Sequence, residues 1–221
     1  MSKHCVVKAT CSKCKKESDF TVWQSINVQI NPEMKEKVLN SEAFMFKCPE
    51  CGTVNPVSYT TLYHDMDNKL MIYLVPDDEK AIKETAQALS DTKNMSSDFG
   101  MDKDYLQYKF RIVTFVWELQ EKIHIFDAGL DDRVIEIIKL LSLGMMSEEY
   151  PDDKIDAIVF NAGDDGENRI LFIHDNKAIA HVPVPQKLYD DVARRFKDKI
   201  ENNPQEYYIY DFAWARSLFG K

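Results

Sequence analysis

Apolar side chains recur along this chain at two spacings, every second residue and every third or fourth, and the switch between them sketches the elements. Residues 4–10 are short and valine-rich, 20–30 alternate loosely and 43–46 run apolar into Cys48, so each reads as a strand. Residues 57–63 and 70–75 flank the polar tetrapeptide Asp65-Met66-Asp67-Asn68, which suits a hairpin turn. Asn31, Pro32 and Glu33 place an N-cap, a proline at the first helical position and an acidic first turn ahead of 35–39, which predicts a short helix.

Beyond Pro76 the period lengthens. Asp77, Asp78 and Glu79 open an amphipathic helix with Ile82, Ala86 and Leu89 on one stripe, and acids there suit the helix dipole. Residues 90–104 are polar and read as a linker, and 108–113 as a strand. Val116, Leu119, Ile123 and Phe126 then mark a helix ending at Gly129, and Asp131 and Asp132 start another that runs through Val134, Ile138 and Leu141 to Gly144. Residues 155–160, 169–174 and 177–182 alternate as a three-stranded antiparallel meander with turns at 162–166 and 175–176. Pro185 introduces a helix with Leu188, Val192, Phe196 and Ile200 on one face, 207–210 suggest a further strand, and Asp211 caps a final helix over 212–219. The expected fold class is α+β: an N-terminal four-cysteine, zinc-ribbon-like module with an inserted helix and a hairpin, then a C-terminal antiparallel sheet with helices. The expected divisions are 1–76, a helix and polar linker over 77–104, and 105–221.

Composition narrows the classes this pattern allows. The 221 residues are 44% apolar with 7 Gly and 8 Pro, which excludes fibrous and low-complexity chains. No apolar run approaches the roughly 20 residues of a spanning helix, so no membrane partner is expected. Residues 1–10 lack the charged-then-apolar order of a secretory signal, and the expected compartment is a reducing cytoplasm where cysteines stay thiols. The net charge of −9 is uneven: residues 1–63 carry +2, 64–105 carry −5 and 106–221 carry −6. An acidic whole repels a phosphate backbone, so a protein partner is favoured over nucleic acid.

Chemistry concentrates where the acidity does not. All five cysteines lie in the first 51 residues, and Cys11-Ser12-Lys13-Cys14 and Cys48-Pro49-Glu50-Cys51-Gly52 are two C-x-x-C half-sites with 33 residues between them. Thiolates three positions apart on a tight turn can face one tetrahedral ion, so Cys11, Cys14, Cys48 and Cys51 are the expected ligands of a structural Zn2+. In the second half-site proline preorganises the turn, and glycine is expected to permit a close backbone approach. A redox reading lacks the strand-helix-strand context of a thioredoxin-like pair. Four thiolates leave no open position, so such a metal supports folding and does not activate water. Cys5 is left over, expected as a small buried side chain.

These residues resemble a known family. The second knuckle, the stretch Val22-Trp23-Gln24-Ser25-Ile26-Asn27 ahead of Asn31-Pro32-Glu33, and Leu62-Tyr63-His64-Asp65 look like the CpXC family of bacterial proteins, which is marked by two Cys-Pro-x-Cys motifs. Glu118-Leu119, Glu121-Lys122 and residues 131–136 extend the likeness over roughly the first 140 residues, a single domain's length. The resemblance implies a zinc-binding domain and no particular activity. This chain departs from it at Ser12, where the motif has proline, which implies a less rigid first knuckle.

Other polar groups carry weaker signals. His64 with Asp65, or with Asp67, could be an acid/base pair of a hydrolase or nuclease, although neighbours on a strand point to opposite faces. Lys13, Lys15 and Lys16 beside Cys14 form a small basic patch through which the ribbon could meet nucleic acid. Asp164, Asp165 and Glu167 flank glycines as ordinary turn composition, and His124 reads as a packed helix histidine. A two-residue turn at 175–176 would set His181 opposite Ile170, placing it and His174 roughly 13 Å apart on one face, too far to share an ion. Asp131, Asp132, Arg133 and Glu136 read as helix capping and i,i+3 ion pairs. Dinucleotide, P-loop, zincin and nucleophile-elbow motifs are absent. The sequence therefore favours a noncatalytic binding or adaptor protein with a structural zinc.

Overall fold

The computed structural model describes residues 2–76, 78–98, 107–149, 154–163, 165–205 and 207–220. The chain is α+β and forms two compact units, Met1–Gln120 and Glu121–Lys221.

The first unit is built on a five-stranded sheet in the order β1-β2-β5-β6-β7. Strands β1 (Lys3–Thr10) and β2 (Glu17–Asn27) make a long antiparallel ribbon. Only Ser25, Ile26 and Asn27 of β2 continue into the rest of the sheet, pairing in parallel with β5 (Thr61–Asp65). Parallel neighbours need a long crossover. Here it contains helix α1 (Glu33–Leu39), a single 3₁₀ turn (Glu42–Phe44) and a separate hairpin of β3 (Met45–Lys47) and β4 (Val54–Pro56). The apolar stretch 57–63 is therefore not one strand, because Pro56 ends the small hairpin before β5 enters the large sheet. Strand β6 (Leu70–Leu74) pairs antiparallel with β5, and β7 (Lys109–Val113) runs parallel to β6 after helix α2 (Glu79–Asp98).

Two expectations change here. Helix α2 continues to Asp98 through part of the stretch read as a linker; pairs four residues apart, Lys80–Glu84, Lys83–Glu79 and Gln87–Asp91, stabilise an otherwise polar surface. Residues 99–104 lie outside the described residues. Strand β7, placed by sequence with the C-terminal segment, completes the first unit's sheet through its ladder with Leu70–Leu74. The division falls inside helix α3 (Val116–Asp127), not at 104. Hydrophobic periodicity alone does not reveal that a parallel partner for β6 lies beyond the polar stretch.

The second unit packs α4 (Asp132–Glu149), α5 (Gln186–Glu201) and α6 (Phe212–Ser217) with a meander of β8 (Ala157–Ala162), β9 (Asn168–His174) and β10 (Lys177–Pro183), in the order β10-β9-β8. Ile135, Ile137, Phe160, Ile170, Phe172 and Trp214 form its core. Asp211 caps α6 as expected, its carboxylate accepting from the Trp214 N–H at 2.8 Å. Residues 207–210 are not a strand. A bulge between Ala178 and Ala180 sets His181 opposite Leu171, one residue away from the expected register. A one-residue slip changes the face, so His181 and His174 lie on opposite faces of the meander.

No helix among the described residues is long and apolar enough to cross a membrane.

Candidate metal centre

The turn of the β1–β2 ribbon, Cys11 to Lys16, and the turn of the β3–β4 hairpin, Cys48 to Thr53, are two copies of one backbone device. In the first, the Cys11 N–H donates to Lys16 O at 3.0 Å and the Lys15 N–H to Cys11 O at 3.1 Å. In the second, the Cys48 N–H donates to Thr53 O and the Gly52 N–H to Cys48 O, both at 2.9 Å. The fifth residue of each turn is left-handed, Lys15 at φ +62° and Gly52 at φ +71°. A Cβ built on Gly52 would meet nothing within 4 Å. The glycine is therefore there for its positive φ and not for the close backbone approach expected from sequence. Lys15 holds the same conformation with a side chain, at a cost of roughly 1 kcal/mol.

The crossover brings these turns face to face. Cys11 Sγ lies 3.5 Å from Cys51 Sγ, Cys14 Sγ lies 3.6 Å from Cys48 Sγ, and all four sulfurs lie within 4.8 Å of one another. A tetrahedron of thiolates at about 2.3 Å from zinc has edges of about 3.8 Å, so the donor set fits a tetrahedral ion. Cys11 and Cys48 are buried against Phe46, Phe20 and Val57, whereas Cys51 is exposed. Cys5 is half-buried on β1 opposite Val22 and does not belong to the group.

The four thiols are electrostatically unequal. The Thr53 hydroxyl, 3.3 Å from Cys51 Sγ, together with the Thr53 backbone N–H, holds the Cys51 thiol down to about 6. Cys11 is lowered too, first by the Cys14 backbone N–H. For Cys14 the Lys16 N–H pulls downward, but burial and the sulfurs of Cys48, Cys51 and Cys11 outweigh it and push the thiol up to about 11. Crowded sulfurs cannot all ionise alone, and a divalent cation relieves that conflict.

Asn55 and Thr53, which carried no signal in the sequence, complete the surroundings. Asn55 is buried on β4 opposite Phe46; its Oδ1 accepts from the Ser12 N–H at 2.9 Å, and its Nδ2 donates to Thr53 O at 3.1 Å, Phe46 O at 3.3 Å and Cys11 Sγ at 3.9 Å. The clue lay in the register: closing the knuckle on Cys48 and Thr53 sets Asn55 opposite inward-facing Phe46.

Apart from His174, which with Asp156 and Asp175 forms a second, more exposed group of possible ligand atoms, the remaining candidates are not assembled into a site. His64 and Asp65 alternate on β5, with Asp65 on the buried side. The Asp65 carboxylate folds into its own turn, accepting from the Asp67 and Asn68 N–H groups, Asn68 Nδ2 and Gln29 Nε2 at 2.9–3.1 Å. Burial opposes its ionisation, yet the Asn68 N–H groups, Gln29 and Lys35 hold it below the usual carboxylate range. Asp67 itself is exposed. His64 faces away, with Asn27 Nδ2 3.3 Å from Nδ1 and Tyr108 Oη 3.1 Å from Nε2, and burial lowers its pKa. Lys13, Lys15 and Lys16 are exposed, and Lys16 is paired with Glu50 of the other knuckle at 2.6 Å. His174 lies between Asp156 and Asp175 on the exposed β9–β10 turn. His124 is half-buried, Asp165 and Glu167 both engage Arg169, and Asp164 lies outside the described residues.

Asp132 and Glu136 are more than caps. With Glu121, Lys122 and Lys139 they form a buried ionic network, each residue no more than 5% exposed. Lys122 Nζ lies 3.1 Å from Asp132 and 3.0 Å from Glu136, and Lys139 Nζ lies 2.7 Å from Glu121 and 3.1 Å from Glu136. Glu121 also accepts from the Phe160 N–H, and Lys122 donates to Tyr210 O, both at 2.5 Å. Burial raises the pKa of Glu121.

No curated protein and no solved structure matches this chain. A family described as CpXC protein matches residues 9–139, more than half of the chain, including all four clustered cysteines and the five charged residues of the buried network. With its paired knuckles and that match, the chain belongs to the CpXC family.

Proposed function

We propose that this protein is a zinc-binding protein whose metal is structural, and that it works as a noncatalytic binding or adaptor protein. The carrying observation is the closed set of four thiols within 4.8 Å of one another on two hydrogen-bonded knuckles. Four thiolates suit Zn2+ and also iron, and they leave no ligand position for water or substrate. Zinc bound there would tie the tip of the β1–β2 ribbon to the β3–β4 hairpin. The divergence of His64 and Asp65 supports a binding role over a hydrolase. A net charge of −9 and the Lys16–Glu50 pair support a protein partner over nucleic acid.

Metal analysis of purified protein tests the reading. One zinc per chain is expected, lost in Cys11→Ser, Cys14→Ser, Cys48→Ser and Cys51→Ser. Iron in its place, with visible thiolate-to-iron absorption, would replace zinc in the reading. Absence of any stoichiometric metal would end it.

A further inference from the structure

The two knuckles differ at one position in a way that the surrounding structure answers. Proline stands second in the second knuckle, at Pro49, and has no N–H to offer. Serine stands second in the first, and its backbone N–H donates to Asn55 Oδ1 at 2.9 Å. The amide of Asn55 cannot turn over: Nδ2 faces the carbonyls of Thr53 and Phe46, so only Oδ1 can face the Ser12 donor. A proline at 12 would leave that buried oxygen with no partner, and orphaned buried acceptors are destabilising. We propose that Asn55 is a positioning residue of the metal centre matched to the N–H of Ser12, so that a tertiary hydrogen bond supplies the rigidity that proline supplies in the other knuckle. This rests on the metal-binding reading above and extends it to how the site is assembled.

The same amide reaches three parts of the site. It holds the Thr53 carbonyl, which also accepts from the Cys48 N–H and so belongs to the second knuckle. It holds the chain just after Cys11 through Ser12, and it points an N–H at Cys11 Sγ from 3.9 Å. The first knuckle is thus shaped by a residue of β4, and its geometry depends on the β3–β4 hairpin having formed. The exposed Ser12 side chain takes no part, and the backbone N–H alone carries the contact.

The test is a double-mutant cycle read by Co2+ titration, using the thiolate-to-cobalt absorption, with Zn2+ back-competition. Asn55→Ala and Ser12→Pro are each expected to weaken affinity about 10–100-fold, the range for residues that orient metal ligands. Ser12→Ala, which keeps the N–H, should leave affinity unchanged. In the Asn55→Ala background Ser12→Pro should add no further loss, because its partner is already gone. In the Asn55→Asp background, where an acceptor remains, Ser12→Pro should still weaken binding; this pair reads the coupling if Asn55→Ala does not fold. Tighter or unchanged Co2+ binding by Ser12→Pro, or losses that multiply in the double variant with Asn55→Ala, would overturn the pairing. A wild-type chain that takes up neither Co2+ nor Zn2+ would overturn the metal reading itself, which is a distinct result.

Discussion

The two units bury polar groups by opposite means. The first gathers four neutral-or-anionic thiols at the meeting of two turns, a cluster that a single external cation can compensate. The second gathers three carboxylates and two ammonium groups from α3 and α4 and pairs them with one another, with the Phe160 amide and the Tyr210 carbonyl closing the ends. The difference is one of dependence. The thiol cluster can take its counter-charge from a bound cation, whereas the ionic network takes its counter-charges from side chains of its own unit.

Removing the metal should separate the units most sharply. A strong chelator is expected to abolish hydrogen-exchange protection of the Cys11 and Cys48 amides while the Phe172 amide in the second unit keeps its protection. A uniform loss across both units would break the comparison. Acid should act through the same thiols: the logarithm of metal affinity falls with decreasing pH, and its slope should steepen below about 6, where Cys51 also takes up a proton.

The internal network should respond in the reverse sense. Lys139→Met leaves Glu121 without its ammonium partner and should cost about 3–5 kcal/mol in denaturant unfolding. Metal content should not change, and a loss of metal would show that the two clusters are coupled.

A smaller effect belongs to Asp65. Its folded pKa is lowered, so its contribution is present above the unfolded value near 3.9 and is lost as pH falls through the folded value. Asp65→Ala should cost about 1–3 kcal/mol at pH 7, and the difference from wild type should shrink in strong acid. A pH-independent difference would show that the carboxylate's charge is irrelevant to the turn. The smallest effect sharpens the contrast between knuckles: Lys15→Gly relieves a left-handed side chain and should raise stability by up to about 1 kcal/mol with unchanged metal stoichiometry. A destabilised variant would mean that the Lys15 side chain makes compensating contacts.

What could be read beforehand follows the same division. Cysteine pairs three residues apart carry their geometry locally, so the gathering of Cys11, Cys14, Cys48 and Cys51 into one cluster is legible before any fold is known. Glu121, Lys122, Asp132, Glu136 and Lys139 are residue types usually found in water, and their spacing along two helices also fits ordinary surface pairs; only packing shows them buried. Asn55 was hidden because its inward face follows from hairpin register and not from composition. The β10 bulge at Ile179 was hidden because its residues look like any alternating strand, although it changes the face presented by His181. The extent of α2 was misjudged because serines and asparagine suggest a loop when no packed face is known.

The position of the unit boundary within α3 has a consequence for descent. The family segment spans residues 9–139 and ends inside α4, so it contains most of the first unit and only the opening helical stretch of the second. A fragment cut at 139 would carry all five buried charges yet lack the Phe160 amide and the Tyr210 carbonyl that close their network. The matched segment and the compact units thus have different bounds, and the network's closing partners lie outside the match.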